Sequence, residues 1–354
     1  MLPDSSERNS TNESEASPVV FEKQLVRDFS LPIIEAWYYG NIRGLNTYTG
    51  IADFNDRLFY LFESSEGIVT AYIEKGILEE GAHKIIAALH KEKGIVEQIC
   101  KTFQEQITEL QKFWPKKHLT NDELAAFLEL LRQSWAGVAL VFFIPTIDVI
   151  SEGEKAMAIK ARFDNDIYCD RSDSLIRNTI SKLYPKAAGF EKYILSSELL
   201  LDQIPSLDIL KKRRRYYLYT DSELFGDDSR ETLAEKYNFF ISEDVARRPD
   251  EFTGQAAYMG KVRGKVRIIL LKDKIRELRP GEILVTSMTT PDYVPAMKIA
   301  AAIVTDEGGI TCHAAIISRE LKKVCVTGTK IATQVLRDGD EIEVDADNGI
   351  IRIL

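Results

Sequence analysis

The sequence predicts an α+β protein in which an all-helical N-terminal domain precedes a C-terminal α/β domain. Two observations support this fold class. Apolar residues recur at three- and four-residue intervals before Arg247, as in Ile95 to Phe113, which is typical of amphipathic helices. After Asp250, short apolar runs alternate with glycine and proline, which is typical of strands and turns. A chain of 354 residues is long enough for two or three such domains.

Other segments of the N-terminal domain show the same helical spacing. Further helices are predicted over Ile68 to Leu89, from Thr120 onward, over Ser172 to Leu183 and over Ser196 to Tyr219. Thr120 or Asn121 is suited to cap the helix that follows, because acidic residues occupy its first turn. Pro205 must interrupt the last of these helices.

The C-terminal domain is predicted to alternate between strands and helices. Strands are predicted at Gly264 to Leu271, Glu282 to Thr286, Ala301 to Thr305 and Val324 to Thr327, and helices at Pro291 to Ala300, His313 to Leu321 and Ile331 to Leu336. A hairpin is predicted over Glu341 to Leu354. Its turn, Asp347-Asn348-Gly349, has the sequence typical of a type I′ turn.

The charge balance excludes some classes of protein. Asp and Glu outnumber Lys and Arg by 55 to 46, and the net charge of −9 gives nucleic-acid binding no electrostatic support. The basic run Lys211 to Arg215 is interpreted as a solvated helix face. The apolar run Trp135 to Ile144 is shorter than a membrane span, so no membrane association is expected.

Two further features concern cellular location. Residues 1–18 are rich in Ser, Asn and Glu and lack an apolar signal segment, so we expect a disordered tail. The four cysteines show no CxxC spacing, which argues against a zinc site or a disulfide framework. Such a pattern favours the reducing cytoplasm.

The segment Ile303 to Glu320 carries the clearest chemical signal. It reads as a strand, a glycine-bearing loop, a histidine and a helix. Gly308 and Gly309 allow a tight turn and the close approach of a bulky ligand. Thr311 is suited to cap the helix, which places His313 in a first turn whose backbone N–H groups favour an anion.

A histidine in this position is suited to nucleophilic catalysis through a phosphohistidine. Positive potential keeps more of the imidazole neutral near pH 7, and the same potential stabilises the phosphorylated form. From the residues alone, His313 is either such a nucleophile or a capping or packing group, and Cys312 is expected to pack rather than to react. Arg319, the nearest cation in sequence, either contacts a phosphate or forms a surface salt bridge.

Three segments resemble signatures of the mobile phosphohistidine domain of phosphoenolpyruvate (PEP)-utilising enzymes. They are Pro280 to Thr286, Thr290 to Pro295 and Gly308 to Ile316, in the family's order. That family includes PEP synthase, pyruvate phosphate dikinase and rifampicin phosphotransferase, and Thr-Cys-His-Ala-Ala is most similar to the synthase branch. The resemblance runs from about Gly254 to the C-terminus. It implies a swivelling domain of the β/β/α type with His313 as phosphoryl carrier.

The resemblance also implies a donor and a form of regulation. In the family an ATP-grasp domain phosphorylates the histidine, and the domain then swivels to an acceptor. Thr311 matches a threonine that a regulatory kinase modifies in some members, and a phosphate there would repel one on His313. The sequence departs from the family at Lys322-Lys323-Val324, where Gly-Ile-Pro is usual, so a turn near the site is expected to change.

The N-terminal region, residues 19–246, resembles more weakly the linker or acceptor-binding region that precedes a C-terminal swivelling domain. The similar segments are Phe29 to Pro32, Trp37 to Tyr39 and Arg213 to Tyr217. Their aromatic side chains either line a small-molecule pocket or pack in the core. Residues 247–253 are predicted to be a linker, and residues 254–354 the mobile domain.

No stretch before Arg247 resembles an ATP-grasp domain, and no (β/α)₈ barrel is recognised, so the chain alone is expected to bind no cofactor and no metal. The leading hypothesis is the phosphoryl-carrier subunit of a split PEP synthase-like phosphotransferase. A separate ATP-grasp subunit with ATP and Mg²⁺ would phosphorylate His313, and a pyruvate-like compound, a phenol or another hydroxyl compound would accept the group. The alternatives are a regulatory or scaffold protein that retains the swivelling fold, and a self-sufficient kinase with a nucleotide site in the helices.

Overall fold

The computed structural model arranges the chain in two parts, the N-terminal half (residues 18–242) and the C-terminal domain (residues 248–354). The structure describes residues 18–41, 60–77, 94–165, 168–226, 229–242, 248–310 and 312–354, together with positions 80, 83, 86 and 87. The predicted tail therefore lies outside the described residues, except for Pro18.

A six-stranded sheet runs through the N-terminal half, so the prediction of an all-helical domain is wrong. Its strands are β1 (Val19–Arg27), β2 (Tyr60–Ser65), β3 (Ile68–Glu74), β4 (Tyr216–Thr220), β5 (Glu223–Phe225) and β6 (Phe239–Ile241), in the order β5-β4-β2-β3-β1-β6. Alternate residues of β3, Val69, Ala71 and Ile73, are buried. This two-residue period belongs to a strand and not to the helix predicted from Ile68. The broader class, mixed α+β, is confirmed.

The helices of the N-terminal half pack largely with this sheet in one hydrophobic core. They are α1 (Leu31–Tyr39), α2 (Ile95–Gln111), α3 (Asn121–Phe143), α4 (Glu152–Phe163), α5 (Tyr168–Leu183), α6 (Ser196–Leu200), α7 (Leu207–Arg215) and α8 (Ser229–Lys236), with short 3₁₀ turns at Ile144–Thr146, Pro185–Ala187 and Glu191–Tyr193. Thr120 caps α3 in a capping box with Glu123, and Pro205 separates α6 from α7. Trp37 stacks on Trp135 with ring centroids 5.9 Å apart. It therefore packs in the core.

One helical segment, Asn121–Thr146, is long and apolar enough to cross a membrane, with 26 residues and a mean hydropathy of 1.5. It is the only such segment within the part of the chain that the structure describes. The expectation that this region is too short for a span is therefore wrong by length. In the fold, 56% of its apolar window is buried inside the protein, and Leu128, Leu131 and Leu140 contribute to the core.

An eight-stranded sheet forms the centre of the C-terminal domain. Its strands are β7 (Glu251–Thr253), β8 (Gln255–Tyr258), β9 (Lys261–Ile268), β10 (Ile283–Thr286), β11 (Ala302–Thr305), β12 (Val324–Thr327), β13 (Glu341–Asp345) and β14 (Ile350–Ile353), in the order β7-β14-β13-β9-β10-β11-β12-β8. The helices are α9 (Val294–Ile299), α10 (His313–Leu321) and α11 (Ala332–Val335), with 3₁₀ turns at Lys272–Glu277 and Pro291–Tyr293. Strands β9 to β12 run parallel. Their carboxyl ends therefore meet at one edge, which we call the carboxyl edge.

The sequence-based elements of this domain are largely confirmed, with two corrections. Phe252 of β7 pairs with Ile351 of β14, so residues 251–253 belong to the sheet and not to the predicted linker. Residues 243–247 lie outside the described part. The terminal hairpin forms, but of its predicted turn residues only Gly349 has a positive φ, of 67°. A type I′ turn needs positive φ at both central positions, so this turn is of another type.

Candidate functional site

His313 lies at the carboxyl edge, as the first residue of α10. Its ring nitrogen Nδ1 is 2.8 Å from Oγ1 of Thr289, a buried residue in the segment that follows β10. This contact fixes the orientation of the imidazole from the neighbouring strand. Nothing in the sequence pattern pointed to Thr289, although it directly precedes the Thr290 to Pro295 signature.

The loop between β11 and His313 is closed by glycine. Gly308 has a φ of +97°, and a Cβ added there would lie 2.6 Å from Sγ of Cys312. Gly328, with a φ of +69°, lies close to this loop: a Cβ added at Gly328 would be 2.7 Å from the carbonyl oxygen of Gly308. Gly309 has no such φ, and its Cβ would meet only Oε1 of Gln255, at 3.3 Å. The tight turn expected from both glycines therefore depends on Gly308.

The buried carboxylate of Asp306 anchors the start of this loop. It accepts hydrogen bonds from the Thr333 backbone N–H (3.0 Å), the Thr333 hydroxyl and the Thr329 hydroxyl (3.2 Å). Burial raises the pKa of Asp306, and these hydrogen bonds oppose the shift. The carboxylate thus links the end of β11 to α11 and to the loop before it. The sequence signal that could have identified Asp306 is its position directly after a buried strand.

The other predicted site residues take structural places around this loop. Cys312 is the N-cap of α10, without a side-chain capping hydrogen bond, and packs against the core beneath that helix. Thr311, the predicted cap and possible regulatory site, lies outside the described residues. Arg319 donates a hydrogen bond to the Ile310 carbonyl at 2.8 Å, so it braces the loop, and it forms no salt bridge with any of the residues that the structure describes. Its contact with a phosphate stays a prediction.

The turn expected to change at Lys322 lies at the opposite end of α10. Lys322 is the C-cap residue and adopts a left-handed conformation with φ 54°. This conformation is the one that glycine favours at helix ends. Lys322 adopts it here at some conformational cost, and the expected change of this turn relative to the family stays a prediction.

The N-terminal half docks on the carboxyl edge through its β1–α1 corner. Arg27 donates two hydrogen bonds, of 2.6 and 2.7 Å, to the carboxylate of Glu307, the residue before Gly308. Ser287 donates to the Val26 carbonyl at 3.0 Å. Burial alone would lower the pKa of Arg27, but the Glu307 carboxylate outweighs it and raises the pKa. The pair is therefore charged, and it places the histidine loop against β1.

A second set of charges joins the halves beside this pair. The Lys272 backbone N–H donates to Asp28 at 3.2 Å, and its ammonium pairs with Asp170 of α5. Burial would lower the pKa of Lys272, but Asp170 outweighs it and raises the pKa. Asp28 also pairs with Lys192 at 2.5 Å and with Arg177 at 3.1 Å. Burial would raise the pKa of Asp28, but these two cations outweigh it and lower the pKa.

A cavity of about 360 Å³ opens between the halves, next to these charges. Its walls are Trp114, Lys116, Asp170, Arg171, Ser174, Leu175 and Asn178 of the N-terminal half and Pro291 and Asp292 of the C-terminal domain. Pro291 is two residues from Thr289, so one wall of the cavity belongs to the segment that holds His313. Within the described residues, no group of three or more His, Cys, Asp or Glu side chains is placed to hold a metal ion.

Comparison with known families agrees with this arrangement of strand, loop and histidine. Residues 278–349 match the family model "PEP-utilising enzyme, mobile domain". This part of the chain is similar to the mobile domain of PEP-utilising enzymes. The match includes Thr289, the Gly308 loop and His313, and it confirms the family resemblance of the sequence.

Curated relatives extend the similarity beyond the mobile domain. A probable phosphoenolpyruvate synthase of Archaeoglobus fulgidus is 58% identical over 98 residues, 28% of this chain and 13% of that protein. The phosphoenolpyruvate synthase of Pyrococcus furiosus is 33% identical over 237 residues, 63% of this chain and 29% of that protein. An uncharacterized phosphotransferase of Bacillus subtilis is 37% identical over 163 residues, 44% of this chain and 20% of that protein. The chain thus spans less than a third of each relative.

Proposed function

We propose that this chain is the phosphoryl-carrier component of a PEP synthase-like phosphotransferase and that Nε2 of His313 is the carrier atom. The hydrogen bond between Thr289 Oγ1 and His313 Nδ1, inside a PEP-utilising enzyme mobile domain, is the observation that carries the proposal. When Nδ1 carries the proton and its N–H donates the hydrogen bond to Thr289 Oγ1, the lone pair available for attack is on Nε2. The relatives named as synthases and as a phosphotransferase support the reaction class.

The proposed transfer has two balanced steps. The Nε2 lone pair attacks the donor phosphorus, an N–P bond forms, and the P–O bond to the donor breaks with its electron pair leaving on the donor oxygen. An acceptor oxygen then attacks the phosphorus, the N–P bond breaks, and its electron pair returns to Nε2. If the acceptor is a hydroxyl compound, its proton passes to solvent. Dividing the transfer in this way makes each step easier than direct transfer.

The donor in this proposal is a separate ATP-grasp subunit with ATP and Mg²⁺. The relatives are much longer than the segments they share with this chain, which leaves room in them for donor and acceptor domains. The acceptor is a pyruvate-like compound, a phenol or another hydroxyl compound, and the N-terminal half serves as an acceptor- or partner-binding region. Arg319 as a phosphate contact and Thr311 as a regulatory site belong to the same proposal.

Labelling with radioactive ATP, Mg²⁺ and the candidate ATP-grasp protein tests this function. We expect acid-labile, base-stable phosphate on the wild-type chain, no such label on His313→Ala, and unchanged labelling of His118→Ala, whose histidine is exposed on the N-terminal half. Equal labelling of wild type and His313→Ala contradicts the carrier role. Label on the wild type without the second protein contradicts the separate donor and favours a self-sufficient kinase.

A further inference from the structure

The cavity between the halves is lined by an arginine, Arg171, that lies beside the ring of Trp114. The Arg171 guanidinium carbon lies 5.8 Å from the centroid of the Trp114 ring. No Asp or Glu among the described residues lies within ion-pairing distance of Arg171. A planar cation beside an aromatic face binds anionic groups well, because the fork of donors matches a carboxylate or a phosphate.

The remaining charges around the cavity already have partners. Asp170 pairs with Lys272, and Asp292 lies 3.5 Å from the same ammonium. Lys116 pairs with Glu123. Lys272 therefore offsets one of the two acids in the wall. Among the lining cations, the guanidinium of Arg171 is the one that forms no ion pair with the described residues, so it is the group that a ligand anion would contact.

The rest of the lining suits a small molecule with a flat apolar body. Trp114, Leu175 and Pro291 supply apolar surface, and Ser174 and Asn178 supply hydrogen-bonding groups. A volume of about 360 Å³ is at the lower end of the range of small-molecule sites. Such sites occur often between domains, as here.

We propose that this cavity binds a small organic anion, with its carboxylate or phosphate on Arg171 and its apolar body between Trp114 and Pro291. Because Pro291 and Asp292 belong to the C-terminal domain, the full site exists only when the two halves are docked. The anion therefore stabilises the docked arrangement. It also acts on the segment whose Thr289 orients His313. The proposal needs no phosphorylation of His313 and so goes beyond the proposed function.

Calorimetric titration of the whole chain tests the site with four probes. Benzoate and phenyl phosphate combine an anion with an aromatic body, benzyl alcohol lacks the anion, and inorganic phosphate lacks the body. We expect saturable binding of benzoate, phenyl phosphate or both, at least about tenfold tighter than benzyl alcohol and inorganic phosphate. Binding of only one aromatic anion identifies the preferred head group. No saturable binding of either below about 10 mM, or equal binding of inorganic phosphate, overturns the proposal.

Two arginine variants locate the bound anion. Arg171→Gln is expected to weaken binding by about tenfold or more, because a charge-assisted hydrogen bond is lost. Arg214→Gln is the matched control, since Arg214 also lies over an aromatic ring, that of Phe190, but outside the cavity. It should bind as the wild type does. Thermal unfolding verifies that both variants fold. Unchanged affinity in Arg171→Gln overturns the site.

A variant with weakened contacts between the halves tests whether the site needs residues from both halves. Arg27→Gln removes the pair with Glu307, which lies outside the cavity, and should weaken benzoate or phenyl phosphate binding severalfold. A saturating concentration of probe should slow amide hydrogen exchange of residues 287–292 in the wild type. The same concentration should not slow it in the Arg171→Gln variant. Wild-type affinity in Arg27→Gln, or no change in exchange, contradicts a site completed by docking.

Discussion

The loop that carries His313 and the surface on which its domain docks are built from different chemistry. The loop is shaped by Gly308 and oriented by the hydroxyl of Thr289. The docking surface includes charge pairs, with Arg27 against Glu307 and Lys272 against Asp170, beside the hydrogen bond from Ser287 to the Val26 carbonyl. Backbone shape responds little to salt, whereas a partly buried ion pair carries a desolvation cost that offsets part of its attraction.

In the proposed phosphoryl transfer, this difference would let the C-terminal domain hold His313 in a fixed geometry and still separate from the N-terminal half. The geometry of the histidine is fixed within the C-terminal domain. Its placement against the N-terminal half depends on charges from both parts. Substitutions in the loop should therefore act on stability and labelling, whereas changes of charge should act on docking and on pH dependence.

The largest effect is expected from Gly308→Ala. The new Cβ would meet Cys312 at a positive φ, so the free energy of unfolding should fall by about 2–4 kcal/mol. Gly309→Ala is the matched control and should cost less than about 1 kcal/mol, because its Cβ meets only the end of a flexible side chain. Urea unfolding measures both, and equal losses would show that the loop is not held by Gly308.

Thr289→Val tests whether the hydroxyl orients the carrier. The change keeps the shape of the side chain and removes the hydrogen bond to His313 Nδ1, so the rate of labelling at His313 should fall by about tenfold to a hundredfold. Thr289→Ser should recover most of the rate. A valine variant labelled as fast as the wild type rules out an orienting role.

Glu35→Gln tests whether Glu35 makes the free energy of unfolding depend on pH. Burial raises the pKa of Glu35 to about 7, although hydrogen bonds from the Ser196 N–H and hydroxyl, both 2.7 Å long, oppose the shift. The folded protein therefore holds this proton more tightly than the unfolded chain does. The stability from this group is fully present below the ordinary pKa and is lost as pH rises to about 7. The decline, of about 1–3 kcal/mol, should be absent in Glu35→Gln when urea unfolding is measured across this range. The same dependence of the free energy of unfolding on pH in both proteins would contradict this role of Glu35.

The smallest effect is expected at the far end of α10. Lys322→Gly relieves a left-handed conformation at the helix end, so it should raise the free energy of unfolding by about 0.5–1 kcal/mol. Labelling of His313 should not change. Lys322→Ala, which gives no such relief, is the control, and an equal gain in both variants would assign the effect to the lost charge.

The two halves also differ in how far the sequence predicts them. Helix α10 and strand β12 begin and end at the predicted residues, because glycine and polar residues bound their short apolar runs. In the N-terminal half, β3 alternates in burial over only seven residues, and its apolar residues also fit a helical spacing, so the sheet was missed. The contact between Arg27 and Glu307 joins residues 280 positions apart. A pair so distant leaves no pattern in a single sequence.

Mapping the phosphorylated atom tests the central claim most directly. The chain is incubated with phosphoramidate, a small phosphoryl donor, and the modified residue and ring nitrogen are identified by tandem mass spectrometry and by ¹⁵N–³¹P NMR. We expect phosphate on Nε2 of His313, formed at least about tenfold faster than on the exposed His118. Phosphate on Nδ1 of His313 would contradict the assignment of Nε2 as the carrier atom. Labelling of His118 as fast as that of His313 would contradict the assignment of His313 as the carrier.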